Sequence, residues 1–566
     1  MKPKPKLAAL FVCITTFAGC RSQDVPPGPE PKPTPLGDFE IDVRPIGPSA
    51  EALSDLALRL SDHAALAKRL AGAEFRVLEI HALDELVKSD AEHDAEPTHF
   101  ESTLYDYTHE QTLLVRGRLD LGGDLDIREY GFQPPPTRDE FEAAVAVLRD
   151  DRELGGPLRE GLVVPYQAMP GIVEEEADDG SRSRVLTIGL LAAADHADVL
   201  VRHGFRNNEI VGVSLAKRTL ARFSPERLHT LGHDDVCEPP PGSSEHGTRP
   251  GAAGRANITV RQNNQVIWTF EVIRPASSAG TRGSGVELRN VRYKGTKVLA
   301  RAHVPILNVH YRDDVCGPYR DWQNDENPFE ANGSDVTSGI RICPTPARTI
   351  IESGSDQGNF SGVAIWVEAQ EVVLASEMEA GWYRYISKWR LHANGRIKPQ
   401  FGFAAVSNSC TCQLHFHNCY WRLDFDIAGA GGDTIEEYNN PPITASNWHA
   451  KSYERMRLRS SANDRRWRVK DSGGKAYTLI PGANDGTADA YARGDAWFLR
   501  YHSGELDDGH NSTGSNTEAD LDKFDQDENL VSKDVVLWYA AHFSHDAAHS
   551  HATGTLLGPT LEASGW

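Results

Sequence analysis

The segment His415-Phe-His-Asn-Cys-Tyr-Trp-Arg-Leu-Asp-Phe-Asp426 predicts a β-strand that carries chemistry. Residues two apart in a strand point to the same face. His415 and His417 can therefore offer two imidazoles to one metal ion. Imidazole ligands suit copper or zinc. An isolated His-x-His motif is weak evidence for a metal site, because histidines at the surface or in a core are common.

A third ligand must come from elsewhere in the chain. The C-terminal region supplies a histidine cluster, namely His542, His545, His549 and His551. A zinc site built from Cys410 and Cys412 with a histidine is an alternative, but cysteines of an exported protein favour disulfides.

Short apolar runs surround this strand and continue to the C-terminus. They include 258–261, 266–270, 297–301, 362–367 and 383–391, each between turn signals and without an intervening long helical pattern. This spacing predicts a large all-β sandwich over residues 255–566.

The N-terminal half has a different pattern. Residues 40–136 and 137–240 each predict a small α+β domain, and a Pro/Gly/Ser-rich linker (238–254) follows them. In the first domain, 51–70 has helical periodicity, and strands are predicted at 75–81, 101–107 and 111–119. In the second, Thr137 and Glu140 form a predicted capping box for a helix over 140–148, with strands at 162–166, 184–190 and 209–215.

The first residues predict export and a lipid anchor. Lysines precede a short apolar run, and Phe17-Ala-Gly-Cys20 resembles a bacterial lipobox. A run this short is a signal peptide (1–20) rather than a transmembrane helix. We expect Cys20 to carry the lipid, residues 21–39 to form a proline-rich tether, and the protein to face the periplasm or exterior of a bacterial membrane.

The composition of the chain bears on the class of its binding partner and on its cysteines. The formal net charge is −22, which argues against a nucleic-acid partner because phosphate binding needs a basic patch. Negative charge is compatible with a cationic ligand such as an amine. Six cysteines follow the lipobox, an even number that suggests disulfides of undetermined pairing: Cys237, Cys316, Cys343, Cys410, Cys412 and Cys419.

The metal-binding strand resembles one in the copper amine oxidases. That family has a His-x-His pair followed by Arg-Leu-Asp-x-Asp, as in HFHNCYWRLDFDI here. It then has an Asp-hydrophobic-Val-Leu-Trp strand before a third copper histidine, and 534–538 is similar. Counting from Trp538 without gaps gives His545 as that ligand, and a small deletion would give His542 instead.

Other segments follow in the order expected for the family. Residues 287–301 resemble the strand pair that opens its catalytic domain, and Tyr383 within Trp-Tyr-Arg-Tyr385 has the place of the modified tyrosine. Tyr311 and Asp325 are 14 residues apart, which fits the family's cofactor-binding tyrosine and catalytic base. The resemblance implies two small cystatin-like α+β domains followed by a β-sandwich, the supersandwich.

The resemblance also implies an activity. In that family, bound copper and O2 oxidise a tyrosine to topaquinone, and the quinone converts a primary amine to an aldehyde, ammonia and hydrogen peroxide. By position, Tyr383 would become the quinone, Asp325 would be the base, and Tyr311 would hold the quinone oxygen. Copper would bind His415, His417 and His545. Calcium at Asp424, Asp426 and Asp534 and a homodimer are further expectations.

The residues on either side of the modified tyrosine depart from the family pattern. The modified tyrosine normally lies between an asparagine and an acid, whereas Trp382 and Arg384 flank Tyr383 here. An alternative function is therefore a copper-binding exported lipoprotein that keeps the fold and has lost or altered the amine oxidase activity.

Overall fold

β-Strands form most of the protein. The computed structural model describes residues 34–83, 96–130, 133–176, 182–193, 196, 198–205, 209–222, 251–278, 285–311, 319–321, 325–406, 414–508, 518–545 and 555–566. The predicted signal peptide, Cys20 and the histidines at 549 and 551 lie outside these ranges. Within them, no helix is both long enough and apolar enough to cross a membrane.

The helices are short and concentrated in the N-terminal half. They are α1 (Ala50–Leu60), α2 (Ala64–Arg69), α3 (Arg138–Arg149), α4 (Gly155–Arg159), α5 (Val199–Arg202) and α6 (Ile350–Ser353). Among the described residues, 3-10 turns lie at Pro275–Ser277, Ser461–Asn463 and Leu521–Phe524.

The strands are numbered in chain order. The first ten are β1 (Thr34–Leu36), β2 (Phe39–Pro45), β3 (Phe75–Leu83), β4 (His99–Asp106), β5 (Gln111–Arg118), β6 (Asp126–Tyr130), β7 (Val163–Glu176), β8 (Arg182–Ala192), β9 (Ile210–Ser214) and β10 (Thr219–Arg222). The next eleven are β11 (Arg255–Gln262), β12 (Gln265–Ile273), β13 (Glu287–Tyr293), β14 (Thr296–Tyr311), β15 (Tyr319–Asp321), β16 (Ser334–Thr337), β17 (Ile340–Ile342), β18 (Val363–Glu368), β19 (Glu371–Ala380), β20 (Tyr383–His392) and β21 (Ile397–Ala405). The last ten are β22 (His415–Phe425), β23 (Thr434–Tyr438), β24 (Trp448–Ala450), β25 (Arg455–Arg457), β26 (Arg466–Lys470), β27 (Ala476–Ile480), β28 (Ala496–Arg500), β29 (Val535–His545), β30 (Thr555–Leu557) and β31 (Thr560–Ser564).

The described strands form four sheets. Two small antiparallel sheets have the orders β3-β4-β5-β6 and β10-β9-β8-β7. The first large sheet has the order β1-β2-β11-β12-β13-β14-β22-β29-β28-β25, and β15 pairs with β14. The second has the order β16-β17-β18-β19-β20-β21-β31-β27-β26-β23-β24, and β30 pairs with β21. The first large sheet includes β2 from the N-terminal region, because β2 pairs with β11 along its length.

One hydrophobic core joins the two large sheets. It contains Leu307, Val309 and Leu423 from the first sheet and Leu374 and Phe401 from the second, all fully buried. Alternation along each strand directs one set of side chains into this core and the other set away from it. Residues on the core side of both sheets are thereby brought face to face.

The local sequence predictions for the N-terminal half are largely confirmed. The capping box exists as predicted, with the Thr137 hydroxyl accepting from the Glu140 N–H at 3.2 Å and the Glu140 carboxylate accepting from the Thr137 N–H at 3.0 Å. The single helix predicted over 51–70 is wrong. It is interrupted between α1 and α2, because Ser61 ends the first helix and the His63 ring caps the second.

Candidate metal centre

Three neighbouring strands position the predicted metal ligands. Strand β22 lies between β14 and β29 in the first large sheet. In these antiparallel pairings His415 is opposite His545 on one side and opposite Tyr311 on the other. His417 is two residues further along and therefore on the same face as His415.

The imidazole rings are adjacent and buried. The ring centroid of His415 is 4.8 Å from that of His417 and 4.9 Å from that of His545. The three side chains are between 1% and 8% exposed. The rings of His417 and His545 therefore both lie next to that of His415 on the core side of the sheet, although the ligand nitrogens of the three do not all lie within 4.8 Å of one another.

His542, the alternative third ligand, lies elsewhere. It is an odd number of residues from His545 and so points to the opposite face of β29. There its Nδ1 is 2.8 Å from the Asn418 side-chain oxygen, and its Nε2 is 3.2 Å from the carbonyl oxygen of Gly494. These contacts explain a buried histidine without a metal.

Tyr383 faces the histidines from the second large sheet. Its ring centroid is 4.7 Å from that of His417 and 5.8 Å from that of His415. The Tyr383 hydroxyl is buried and has no hydrogen-bond partner in the part of the chain that the structure describes. Burial raises the pKa of this phenol well above its usual value. A buried polar atom is normally satisfied, so this hydroxyl points to a group that binds beside it.

Aromatic side chains enclose this space. The ring centroid of Phe403 is 4.6 Å from that of His417. It is 5.7 Å from that of Phe543, and the planes of the two phenylalanine rings are nearly parallel. Such a wall excludes water and lowers the local dielectric, which strengthens electrostatic interactions within the site.

Arg384 points away from the histidines, although it directly follows Tyr383. The Arg384 Nε donates to Asp356 Oδ1 at 2.6 Å and its Nη2 to Asp356 Oδ2 at 2.9 Å. A second carboxylate, Glu379, is 3.7 Å from the guanidinium. All three side chains are fully buried. Arg384, which stands where the family has an acid, therefore makes its contacts on the face of β20 opposite to Tyr383. Trp382 packs edge-on near Tyr383, with a centroid distance of 6.1 Å.

Tyr311 and Asp325, the other two predicted catalytic residues, lie on different elements. Tyr311 stacks on His415, with ring centroids 4.9 Å apart. Asp325 is buried, and its carbonyl oxygen accepts from the Glu379 N–H at 2.9 Å. The Asp325 backbone therefore lies beside β19, about 10 Å or two strand spacings from the backbone of Tyr383.

Sequence reasoning missed two residues of this site. Tyr385 is two residues after Tyr383 and shares its face, and its hydroxyl is 3.4 Å from His417 Nδ1. The same hydroxyl donates to Asp321 Oδ2. Burial raises the pKa of Asp321 to about 7. The repeat of tyrosine at two-residue spacing was a usable signal, whereas the position of Asp321 depends on the pairing of β15 with β14.

The predicted calcium ligands also lie together. One ligand oxygen from each of Asp424, Asp426 and Asp534 lies within 4.8 Å of the others, the only set of three or more metal-ligand side chains this close among the described residues. The Lys297 ammonium is 3.1 Å from Asp426 Oδ2 and offsets part of the charge. Burial and the nearby carboxylates raise the pKa of Asp433 to about 7.

The predicted disulfides are wrong for the two cysteines that the structure describes. Cys343 and Cys419 are free, buried thiols. Burial raises the pKa of Cys343 to about 11 and that of Cys419 well above its usual value. Both lie within packed strands or their ends, so they behave as small apolar residues. The other four cysteines, including those of the alternative zinc site, lie outside the described residues.

The chemistry of the donor set fits copper. Three imidazoles suit a copper ion, and beside them lies a phenol whose hydroxyl has no hydrogen-bond partner among the described residues. No protein-family model and no curated protein sequence matches the chain.

Solved structures do match. A copper-containing benzylamine oxidase from Hansenula polymorpha superposes with a TM-score of 0.55 at 12% identity, over 83% of this chain and 89% of that one. A lysyl oxidase from Pichia pastoris gives 0.53 at 12% identity, over 91% and 89%. An amine oxidase from Aspergillus nidulans gives 0.52 at 15% identity, over 91% and 88%. The chain has the fold of the copper amine oxidases.

Proposed function

We propose that this protein is a copper-dependent primary-amine oxidase, which converts an amine to an aldehyde, ammonia and hydrogen peroxide through a quinone derived from Tyr383. The observation that carries the proposal is the buried hydroxyl of Tyr383, which has no hydrogen-bond partner among the described residues and whose ring lies beside those of His415 and His417. The likeness to amine oxidases supports the fold, and the activity rests on these residues.

The residues assigned to copper are His415, His417 and His545. When bound, copper together with O2 supplies the oxidising power that converts a phenol to a quinone. Tyr311, stacked on His415, limits the movement of that ring. Phe403 packs near His417 and Phe543 near His545, which limits the access of water to these two rings.

Asp325 remains the proposed base. Removal of a proton next to an amine-bearing carbon requires an acceptor within hydrogen-bond reach, and a carboxylate serves this purpose. Its backbone is held beside β19, where the Asp325 carbonyl oxygen accepts from the Glu379 N–H at 2.9 Å. The −22 charge of the protein favours the approach of a cationic amine.

A second function is favoured by one observation. Trp382 places an indole against the ring of Tyr383, where the family has a small polar side chain. If this packing prevents quinone formation, the protein is a copper-binding exported lipoprotein without amine oxidase activity.

Addition of copper to the metal-free full-length protein in air separates the two functions. The enzyme proposal predicts a visible quinone absorption band and reaction with phenylhydrazine, both lost in His545→Ala. His542→Ala is the matched control, since that ring faces the other side of the same strand. Copper binding without a band would leave only the second function.

The acidic group is proposed as a calcium site. Asp424, Asp426 and Asp534 offer the hard oxygen ligands that calcium prefers. Calorimetric titration with calcium should give one site in the native protein and none in Asp534→Asn. Retention of calcium by that variant would contradict the assignment.

The arrangement around the sandwich follows the same proposal. We propose that two cystatin-like α+β domains (40–136 and 137–240) precede the supersandwich (255–566), and that the protein is a homodimer anchored through Cys20 outside the cytoplasm. Radiolabelled fatty acid should be incorporated into the wild-type protein and not into Cys20→Ser. Sedimentation of the detergent-solubilised protein tests the dimer.

A further inference from the structure

A buried chain of polar contacts runs from a carboxylate to one proposed copper ligand. The Tyr385 hydroxyl donates to Asp321 Oδ2. The hydroxyl oxygen of Tyr385 also lies 3.4 Å from His417 Nδ1. Tyr385, His417 and Asp321 are 0%, 2% and 5% exposed. The three groups are therefore shielded from water, which would otherwise compete for these contacts.

The direction of the chain follows from its donors and acceptors when the Asp321 carboxylate is ionised and can only accept. A phenol has one hydrogen to donate, and Tyr385 gives it to Asp321. Its oxygen can then only accept from His417. A neutral imidazole carries its proton on one nitrogen, so an Nδ1–H donated to Tyr385 leaves the lone pair on Nε2.

Rigid elements hold the two partners in place. Asp321 is paired with Leu307 where β15 lies against β14, and Tyr385 lies in the middle of the second large sheet, paired with Phe403 and Met378. The hydrogen-bonded chain thus crosses the core from one sheet to the other. It ties the orientation of the His417 ring to both sheets.

We propose that Tyr385 and Asp321 are positioning residues that hold the proton of His417 on Nδ1 and so present Nε2 to the metal. The proposal rests on the copper site proposed above. Groups that hydrogen-bond to a metal-ligating histidine fix its tautomer and orientation, and their loss typically costs 10- to 100-fold in metal affinity.

The test compares Tyr385→Phe and Asp321→Asn with Tyr420→Phe in the full-length protein. Tyr420 is a matched control: it is a buried tyrosine on the same strand as His417, three residues away and on the opposite face. Competition with a chelator measures the affinity for copper. We expect it to fall about 10- to 100-fold in Tyr385→Phe and to fall measurably in Asp321→Asn. Tyr420→Phe should bind as the wild type does.

A second measurement needs no metal. In the metal-free protein with ¹⁵N-labelled histidine, the imidazole nitrogen shifts report the tautomer of His417, whose signal is identified by its loss in His417→Gln. The proposal predicts the Nδ1–H form in the wild type and loss of that preference in Tyr385→Phe. An Nε2–H form in the wild type would overturn it, even if the protein proved not to bind copper. Equal copper affinity in all four proteins would also overturn it, while leaving the proposed function intact.

Discussion

Replacing Arg384 with methionine removes a guanidinium that is fully buried and bound to two oxygens of Asp356 at 2.6 and 2.9 Å. The Asp356 carboxylate would lose this charge partner and keep the hydrogen bond from the Asn327 amide at 2.9 Å. Breaking a buried ion pair by removing one partner costs about 3–5 kcal/mol, because an uncompensated charge remains in the core.

Hydrogen exchange of the β20 amides measures this cost locally. Since about 1.36 kcal/mol corresponds to a tenfold change, protection should fall by roughly a hundredfold to several thousandfold in Arg384→Met. A double variant that adds Asp356→Asn should recover part of the loss, because the unpaired charge is gone. Arg118→Met is the control, since its ion pair with Asp120 is exposed and contributes about 0–1 kcal/mol.

Copper binding by Arg384→Met provides a second test of this conclusion. Arg384 contacts the far side of β20, so Arg384→Met should bind copper as the wild type does, provided that it is folded. Unchanged exchange in β20, or a changed copper EPR spectrum in the folded variant, would contradict the conclusion that this cation stabilises the sheet without acting on the metal centre.

Three further predictions concern buried residues of the C-terminal half. His545→Ala should lose most of its copper, whereas His542→Ala should retain it; equal loss in a metal assay would exclude His545 as the specific ligand. Burial raises the pKa of Glu377 to about 8 from an ordinary 4.5, so the stability that depends on its bound proton is complete below about pH 4.5 and is lost as pH rises through 8. Thermal unfolding of Glu377→Gln should lack that decline, and an identical pH profile would contradict it. Cys343 and Cys419 should react with a thiol reagent only after unfolding, as peptide mapping can show; a mapped disulfide at either would refute their assignment as free thiols.

Local sequence patterns predicted much of the secondary structure. Alternation in His415-Phe-His417 placed both rings on one face, and Thr137 with Glu140 predicted a helix start that the structure contains. These features depend only on residues a few positions apart, which sequence periodicity reports directly.

Long-range pairing could not be read in this way. The ion pair of Arg384 with Asp356 joins residues 28 positions apart, and the contact of Asp321 with Tyr385 spans 64. The choice between His542 and His545 depended on which face of β29 enters the core. Tertiary packing sets these relations, and neither composition nor spacing encodes them locally.

Peptide mass mapping of Tyr383 tests the central claim most directly. The metal-free full-length protein is exposed to copper in air, digested and analysed for the peptide that carries Tyr383. The proposed function predicts a copper-dependent oxygen insertion on Tyr383 in the wild type, absent in His545→Ala and present in His542→Ala. Copper-bound wild-type protein with an unmodified Tyr383 would contradict it.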